Sequence, residues 1–202
     1  MEDKLGKDYW DKRYLDQTAV WDMGKVSPPL KDYIDQLTNK DIAILIPGCG
    51  NAYEAGYLLG LGFTNITLID LSPVLVQAIE QKFSAYNGKQ LHVICGDFFN
   101  LHQKFDLVLE QTFFCALDPS LRKNYADKMA EILNPGGKLA GVLFNRDFEG
   151  GPPFGGNKEE YQELFSKKFD ILKMELCYNS IERRKDSELF INFGKVANSM
   201  LK

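Results

Sequence analysis

The 202-residue chain contains 45% hydrophobic and 26% charged residues, an ordinary balance for a folded protein that excludes a disordered one. Its formal net charge of −4 argues against nucleic acid or an anionic membrane as the partner, because both attract basic surfaces. A chain of this length can bury one large core, so we expect a single domain over residues 1–202. Nothing in the sequence demands more than a monomer.

The cysteines and the N-terminus bear on the compartment. Cys49, Cys95, Cys115 and Cys177 lack the short spacing of metal ligands and the chain has only two histidines, so we expect no metal site and reduced thiols. The N-terminus MEDKLGKDYW lacks the apolar core of a signal peptide, and no apolar run is long enough for a membrane span. These features predict a cytoplasmic protein without membrane association.

Strand-like and helix-like runs alternate along most of the chain, which is typical of a parallel sheet covered by helices on both faces. Ser72 followed by Pro73, and Asp118 followed by Pro119, mark the starts of two helices. The predicted strands are 42–46, NITLID (65–70), QLHVICGDFF (90–99), KFDLVLEQ (104–111) and a fifth within NPGGKLAGVLF (134–144), which begins with an asparagine-proline turn that leads into the strand. The predicted helices are 52–60, LSPVLVQAIEQKF (71–83), DPSLRKNYADKMAEIL (118–133) and 158–166.

The C-terminal runs FDILKMELC (169–177) and SELFINF (187–193) are joined by a short connection of mixed charge, which predicts an antiparallel pair at the sheet edge. Within that connection, ERRKD (182–186) is predicted to be a solvated turn. The fold class is therefore α/β, a doubly wound, mostly parallel sheet of seven strands over residues 41–202, preceded by a helical section over residues 1–40. Such sheets bind ligands beyond the carboxyl ends of their strands.

The first candidate site follows the first strand, where PGCGNA places Gly48 and Gly50 in a strand-to-helix turn. Glycine allows a ligand to approach the backbone closely, although two glycines alone favour an ordinary turn. The dinucleotide fingerprint G-x-G-x-x-G fails, because Tyr53 occupies its third glycine position. The turn is therefore poorly suited to a pyrophosphate.

Acidic residues end the next two strands. Asp70, followed by Leu71, can accept both ribose hydroxyls of a nucleoside, and Ser72 already occupies the capping position of the next helix. Asp97 can accept from an adenine amino group while the N–H of Phe98 donates to the ring, although Gly-Asp is also a common turn. One acid for ribose, one for adenine and no phosphate cradle describe adenosine without phosphates, so S-adenosylmethionine fits better than a dinucleotide.

The fourth strand ends in LEQTFFCALDP, where a reacting centre would lie. We expect Glu110 and Gln111 to contact the cofactor, and Gln111 and Phe114 to face the substrate. Two consecutive phenylalanines after a strand belong to a core more often than to a pocket. Here they precede a capped helix and could wall a dry cavity.

Several motifs resemble those of the thiopurine S-methyltransferase superfamily, and within it the branch of halide, thiocyanate and thiol methyltransferases: PGCGNAYEAGYLL, IDLSP, FFCALDPSLR, LNPGGKL and GGPPF. The resemblance starts at YWDKRYLDQTAVWDMGKVSPPL and extends over nearly the whole chain. It implies a Rossmann-like methyltransferase fold that binds S-adenosylmethionine. By the same resemblance, aromatic residues 10, 14 and 21 form a lid over the cofactor, and the remaining cofactor contacts fall on the turn and strand-end residues. These positions are Trp10, Tyr14, Trp21, Gly48, Asp70, Asp97 and Phe98.

Departures from the branch pattern bear on the substrate. By the resemblance, the plant enzymes have tyrosine at the positions of Gln111 and Phe144. The thiopurine enzymes are expected to have arginine at the position of Phe114. These positions, together with Trp21 and Arg146, form the predicted substrate pocket. Thiopurines are therefore a poor candidate substrate, and the preference of the plant enzymes does not transfer directly.

Methyl transfer from a sulfonium is an in-line displacement that needs alignment and exclusion of water rather than acid–base groups. A soft nucleophile such as a thiol, hydrosulfide, thiocyanate or halide needs no catalytic base, so we predict no catalytic acid–base residue. Cys115 is predicted to be a buried packing residue rather than a nucleophile. The loop 145–157 either closes over the substrate, with Arg146 near an anion, or is a mobile surface loop.

Other functions stay open. An NAD-dependent oxidoreductase would use the same sheet, but the missing third glycine and the acid at Asp97 argue against it. A catalytically silent adenosine-binding or S-adenosylmethionine-binding protein is the stronger alternative, because methyl transfer leaves no signature catalytic residue. Trp10 and Tyr14 share one helical face and could simply dock that helix on the sheet; we favour docking that also places them over the cofactor.

Overall fold

The computed structural model describes residues 5–196, and in that range seven strands form one sheet flanked by α-helices. The helices are α1 (Lys7–Leu15), α2 (Pro28–Ile34), α3 (Tyr53–Gly60), α4 (Pro73–Lys82), α5 (Arg122–Ile132) and α6 (Lys158–Phe165). The strands are β1 (Ile44–Pro47), β2 (Ile66–Asp70), β3 (Leu91–Cys95), β4 (Phe105–Gln111), β5 (Leu133–Phe144), β6 (Phe169–Leu176) and β7 (Glu188–Lys195).

The strand order is β3-β2-β1-β4-β5-β7-β6. Strands β1 to β5 run parallel to one another, and β7 lies antiparallel between β5 and β6. The order reverses between β1 and β4, which is the switch point where α/β sheets bind ligands. The predicted class, a doubly wound and mostly parallel seven-stranded sheet with an antiparallel C-terminal pair, is confirmed.

Helices cover both faces of the sheet, so its central strands are buried on both sides. Every residue of β1 and β2 is buried, which explains their continuous apolar sequence. On one face α5 and α6 bury Tyr125 and Phe165, while on the other α3 and α4 bury Leu58 and Ile79. The two layers leave the carboxyl ends of β1 to β4 as the edge at which a ligand can be held.

The predicted element boundaries agree with the structure to within a few residues, with two instructive differences. The helix predicted from Asp118 begins with a separate 3-10 turn, Pro119–Leu121, before α5. β5 is assigned from Leu133, one residue ahead of the predicted asparagine-proline turn, and not from the residues after that turn. The pairing of β5 with β4 passes directly from Leu133 to Lys138, its pairing with β7 begins at Lys138, and Gly136 has a φ of +77°, so the predicted turn is present as an interruption of the strand.

The two N-terminal helices α1 and α2 fall within the predicted lid section, residues 1–40. The side chain of Asp11 in α1 accepts hydrogen bonds from the Ser72 hydroxyl and the Val74 amide, so α1 docks on the first turn of α4. Among residues 5–196, no helix combines the length and apolar character needed to cross a membrane. The assignment of 1–202 to a single domain stays a prediction.

Candidate functional site

The turn after β1 is built from residues in the left-handed region. Gly48, Gly50 and Ala52 have φ of +54°, +50° and +54°, so the chain reverses tightly between β1 and α3. A Cβ at Gly48 would overlap the ring of Phe113, and glycine is therefore required there for packing as well as for backbone geometry. Ala52 adopts this conformation with its methyl group fully buried.

Asp70 ends β2 with its carboxylate at a cavity wall. Its Oδ1 accepts from the Ser72 amide at 3.0 Å, and its side chain is 9% exposed. Burial raises the pKa of Asp70 to about 6, and backbone N–H groups of Ser72, Gly50 and Leu71 oppose that rise. The same burial, together with the nearby Asp70 charge, raises the pKa of the Tyr14 hydroxyl, which therefore remains a neutral phenol.

The end of β3 supplies a polar rim and an aromatic wall. Asp97 Oδ1 accepts from the Phe99 amide at 2.9 Å and thereby caps the 3-10 turn Phe98–Asn100. Phe98 is 4% exposed and its ring lies 5.4 Å from that of Phe113. The two rings meet at the edges of the cavity that Asp70 also borders.

Glu110 does not line this cavity, which corrects its assignment as a cofactor contact. It is fully buried, and its carboxylate accepts from the amides of Phe113 and Phe114 and from the Tyr125 hydroxyl. Burial raises the pKa of Glu110 to about 7, and these hydrogen bonds oppose the rise. The carboxylate therefore holds the turn after β4 from inside the core.

Phe114 is likewise a core residue, which corrects its assignment to the substrate pocket. It is 0% exposed, and its ring lies 5.0 Å from Tyr125 and 5.5 Å from Tyr161. The preceding Phe113 faces the cavity instead. Cys115 is fully buried beside them, in agreement with a packing role.

Gln111 and Gly50 border a smaller cavity of about 60 Å³ next to the main one, which we call the side chamber. Both amide atoms of Gln111 are buried without a hydrogen-bond partner among residues 5–196. The side chamber is also lined by Asp22 and Arg184, and it shares Trp21 with the main cavity. Gln111 thus lies beside the site, not in the main cavity.

The aromatic residues of the N-terminal section cluster over the main cavity. The ring of Trp21 lies edge to face with Trp10 at 5.6 Å and with Tyr14 at 6.2 Å. Trp10 Nε1 donates to the Leu5 carbonyl at 2.8 Å, which fixes the indole. All three aromatic side chains border the cavity, as their assignment to a lid requires.

The loop after β5 reaches the cavity through its prolines and not through its arginine. Phe144 and the pair Pro152 and Pro153 line the cavity. Arg146 is exposed and its guanidinium lies 4.7 Å over the ring of Phe148, which corrects its assignment to the substrate pocket.

The main cavity has a volume of about 310 Å³ and lies at the carboxyl ends of the parallel strands. Among its described lining residues are three carboxylates, Asp70, Asp97 and Asp118, and no lysine, arginine or histidine. This charge pattern suits a cationic ligand. Of the predicted residues, nine border the cavity: Trp10, Tyr14, Trp21, Gly48, Asp70, Leu71, Asp97, Phe98 and Phe144. Sequence reasoning raised Phe113 only as one of two phenylalanines that could wall a cavity, and it gave no site role to Thr112, Leu117, Leu121, Pro152 and Pro153, which also line it.

Known proteins with similar sequences are methyltransferases. "Probable thiol methyltransferase 2" of Arabidopsis thaliana is 31% identical over 159 residues, covering 77% of this chain and 70% of the relative. "Thiocyanate methyltransferase 1" of Brassica oleracea is 27% identical over 191 residues, covering 93% of this chain and 84% of the relative.

Solved structures show the same fold at lower identity. One is the crystal structure of Burkholderia thailandensis 1,6-didemethyltoxoflavin-N1-methyltransferase with bound 1,6-didemethyltoxoflavin and S-adenosylhomocysteine. It aligns with a TM-score of 0.73 at 17% identity, over 94% of this chain and 86% of that one.

The main cavity is bordered by an acid at the end of β2 and by another just after β3, and among its described lining residues all the charged ones are acidic, as is expected around a cationic cofactor. The model of the family "Thiopurine S-methyltransferase (TPMT)" matches residues 5–197, nearly the whole chain. The protein therefore belongs to the thiopurine S-methyltransferase family and is a methyltransferase that uses S-adenosylmethionine.

Proposed function

We propose that the methyl acceptor is a small soft nucleophile: a thiol, hydrosulfide, thiocyanate or halide. The observation that carries this proposal is the character of the cavity wall formed by Phe113, Phe144, Pro152 and Pro153. This wall is apolar, so it can exclude water but cannot remove a proton from an acceptor. The names of the similar thiol and thiocyanate methyltransferases support the same class.

The acidic residues around the cavity are poorly placed to act as a general base. A hydrogen bond from Ser120 holds the pKa of Asp118 below its usual range, so that its carboxylate is a weak base. Asp97 and Asp70 each accept one backbone amide, from Phe99 and from Ser72, and in this proposal the adenine and the ribose of the cofactor engage their remaining lone pairs. The acceptor must therefore bring its own lone pair in an ionised or readily ionised form.

We assign the cofactor contacts as the sequence predicts, except for Glu110, which lies in the core, and for Gly50 and Gln111, which border the side chamber. Asp70 with Leu71 would bind the ribose, Asp97 and Phe98 the adenine, and Gly48 the methionine end, with the aromatic lid residues above them. When bound, S-adenosylmethionine supplies an electrophilic methyl group on a sulfonium. The residues of this chain would orient that group and exclude water, and aromatic faces at the cavity add a cation–π attraction of about 1–2 kcal/mol when desolvated.

A panel of acceptors tests the proposal. The purified protein is incubated with S-adenosylmethionine and either an alkanethiol, thiophenol, hydrosulfide, thiocyanate or iodide, and both the methylated product and S-adenosylhomocysteine are quantified by mass spectrometry. We expect at least one acceptor to give stoichiometric amounts of the two products. For a thiol, the rate should rise with pH through the thiol's own pKa, because no residue of the wall supplies a base.

The controls separate this proposal from its alternatives. Calorimetry with S-adenosylhomocysteine and with NAD should show binding of the first and not of the second. If S-adenosylhomocysteine binds but none of the acceptors is methylated, the soft-nucleophile proposal fails and the acceptor belongs to another chemical class.

We also propose that the protein acts as a monomer in the cytoplasm on a small-molecule substrate, without nucleic-acid or membrane partners. All four cysteines are free, which suits a reducing compartment. The net charge of −4 supports the absence of polyanionic partners. Light scattering after size-exclusion chromatography would test the monomer: an apparent mass near 46 kDa, about twice the 23.0 kDa of the chain, would contradict it.

A further inference from the structure

Two adjacent arginines in the connection between β6 and β7 bind the main chain of the N-terminal section. Arg184 Nη2 donates to the Trp21 carbonyl at 2.7 Å, and Arg183 donates to the carbonyls of Val20, at 3.3 Å, and of Asp22. Three successive carbonyls are thus held by one pair of neighbouring side chains, which we call the arginine pair. The interpretation of ERRKD as a solvated turn is therefore wrong for Arg184, which is 7% exposed.

Arg184 is built into the protein from its other side as well. Its Nη1 lies 3.0 Å from Oε1 of Glu188, which is 2% exposed, and Glu188 also accepts from the Ser180 hydroxyl at 2.6 Å. The guanidinium lies 5.2 Å over the ring of Phe144, a wall of the main cavity. A buried ion pair adds little net stability compared with apolar residues, so its presence calls for a reason other than stability.

The segment that the arginine pair holds is fixed on its opposite side by the turn after β1. The Asp22 carboxylate accepts from the side chains of Asn51 and Tyr53. Trp21 lies between these two attachments, with its indole against Trp10 and Tyr14 at the cavity. Because the arginines bind main-chain carbonyls, they determine where the backbone of Trp21 lies.

We propose that Arg183 and Arg184 are positioning residues for the lid, and that they hold residues 20–22 so that Trp21 covers the cofactor cavity. The functional part of this inference rests on the proposed cofactor contacts, since covering the cavity matters for catalysis only if the cofactor lies beneath the lid. Neither arginine borders the main cavity, so the arginine pair acts through Trp21. Its role is to connect the C-terminal antiparallel pair of strands to the lid.

Tryptophan fluorescence can report on this contact directly, because Trp10 and Trp21 are the only two tryptophans in the chain. In a Trp10→Phe background, emission comes from Trp21 alone, and its quenching by acrylamide measures how firmly the lid is closed. Two variants are compared within that background. The first is Arg183→Ala, which changes an exposed residue. The second combines Arg184→Met with Glu188→Met and so removes the buried ion pair without leaving an unpaired charge. Lys185→Ala is the matched control, because it removes an exposed cation from the same turn.

We expect acrylamide quenching of Trp21 to increase about twofold in both variants. We expect the Kd for S-adenosylhomocysteine, measured by calorimetry, to rise about tenfold, in line with the loss of hydrogen bonds from a charged group. The thermal midpoint of Arg183→Ala should stay at the value of its background. A purely structural role would instead lower the thermal midpoint whenever the quenching and the Kd change. Lys185→Ala should match its background in all three measurements.

Unchanged quenching and unchanged Kd in Arg183→Ala would overturn the proposal, and this holds even if the double variant fails to fold. If the starting protein does not bind S-adenosylhomocysteine, the proposed function fails instead. The quenching comparison without ligand would then still decide whether the arginine pair holds Trp21.

Discussion

Replacing Asp70 by asparagine should move cofactor binding and protein stability in opposite directions. Burial raises the pKa of Asp70 from its ordinary value of 3.8 to about 6. Because the folded-state pKa lies above the unfolded one, the carboxyl favours folding most when it is protonated, and that contribution is lost as pH rises from about 4 to about 6. The loss amounts to about 3 kcal/mol of unfolding free energy at neutral pH. Asparagine is neutral and can still accept from the Ser72 amide, so Asp70→Asn should be as stable as the original protein or more stable.

Binding should weaken in the same variant. Loss of hydrogen bonds from a charged acceptor costs about 1.5–3 kcal/mol, which corresponds to a rise of roughly 10- to 150-fold in the Kd for S-adenosylhomocysteine. Calorimetry at pH 7.5 gives the Kd, and urea denaturation at pH 4, 6 and 8 gives the stability. Asp118→Asn is the matched control, because it removes a negative charge from an exposed residue of the same cavity and should change the Kd less than threefold. An Asp70→Asn protein that binds normally, or one that loses binding and stability together, would refute the assignment of Asp70 as a ligand-binding carboxylate.

Three further substitutions test the framework of the site, and Gly24→Ala serves as the control for the second of them. In the original protein we expect the unfolding free energy to fall as pH rises from about 4.5 through about 7, and Glu110→Gln should remove that fall. Urea denaturation at pH 8 should therefore find the variant more stable than the original protein. A less stable variant would mean that the turn needs an ionised acceptor. Gly48→Ala should lower the unfolding free energy by at least about 2 kcal/mol in thermal denaturation, because its Cβ overlaps Phe113. Gly24→Ala, at φ +70° in open space, should cost only about 1 kcal/mol, and equal losses would show that Phe113 yields freely. Ala52→Gly should change the unfolding free energy by less than about 0.5 kcal/mol, because relief of the left-handed backbone strain offsets the loss of a buried methyl group. A clear gain or loss of stability in urea denaturation would show that one of the two effects dominates.

Local sequence signals predicted the parallel part of the fold well, because each apolar run or helix-capping residue lies within the element that it predicts. The apolar runs of β1 and β2 need burial on both faces, and polar residues mark where the helices begin. Ser72 Oγ accepts from the Leu75 amide at 3.2 Å at the start of α4, and Asp118 accepts from the Ser120 amide at 2.9 Å. The carboxyl ends of such strands meet at one edge, so Asp70 and Asp97 could be brought to one cavity without knowledge of any tertiary contact.

The rest of the site depends on contacts between distant parts of the chain. Whether Phe113 or Phe114 faces the cavity is decided by the short 3-10 turn after β4 and by Glu110 beneath it, and the residue pair itself carries no such signal. Arg184 lies 163 residues from the Trp21 carbonyl it binds, and within its own turn it is only one of several charged residues. The end of its strand and the family resemblance both predict Gln111 at the site, but neither shows that it borders the side chamber and not the main cavity.

Asp70 and Glu110 show why a raised pKa does not by itself identify a binding residue. Both are buried carboxyls at the ends of parallel strands, and burial raises the pKa of each. The carboxylate of Glu110 is enclosed by the Phe113 and Phe114 amides and the Tyr125 hydroxyl and is sealed in the core. Asp70 receives its hydrogen bonds from the backbone while bordering the cavity, so a hydroxyl-bearing ligand can reach it. The distinction rests on what each carboxylate faces, and for that reason Asp70→Asn should affect the Kd for S-adenosylhomocysteine while Glu110→Gln should chiefly affect the pH dependence of unfolding.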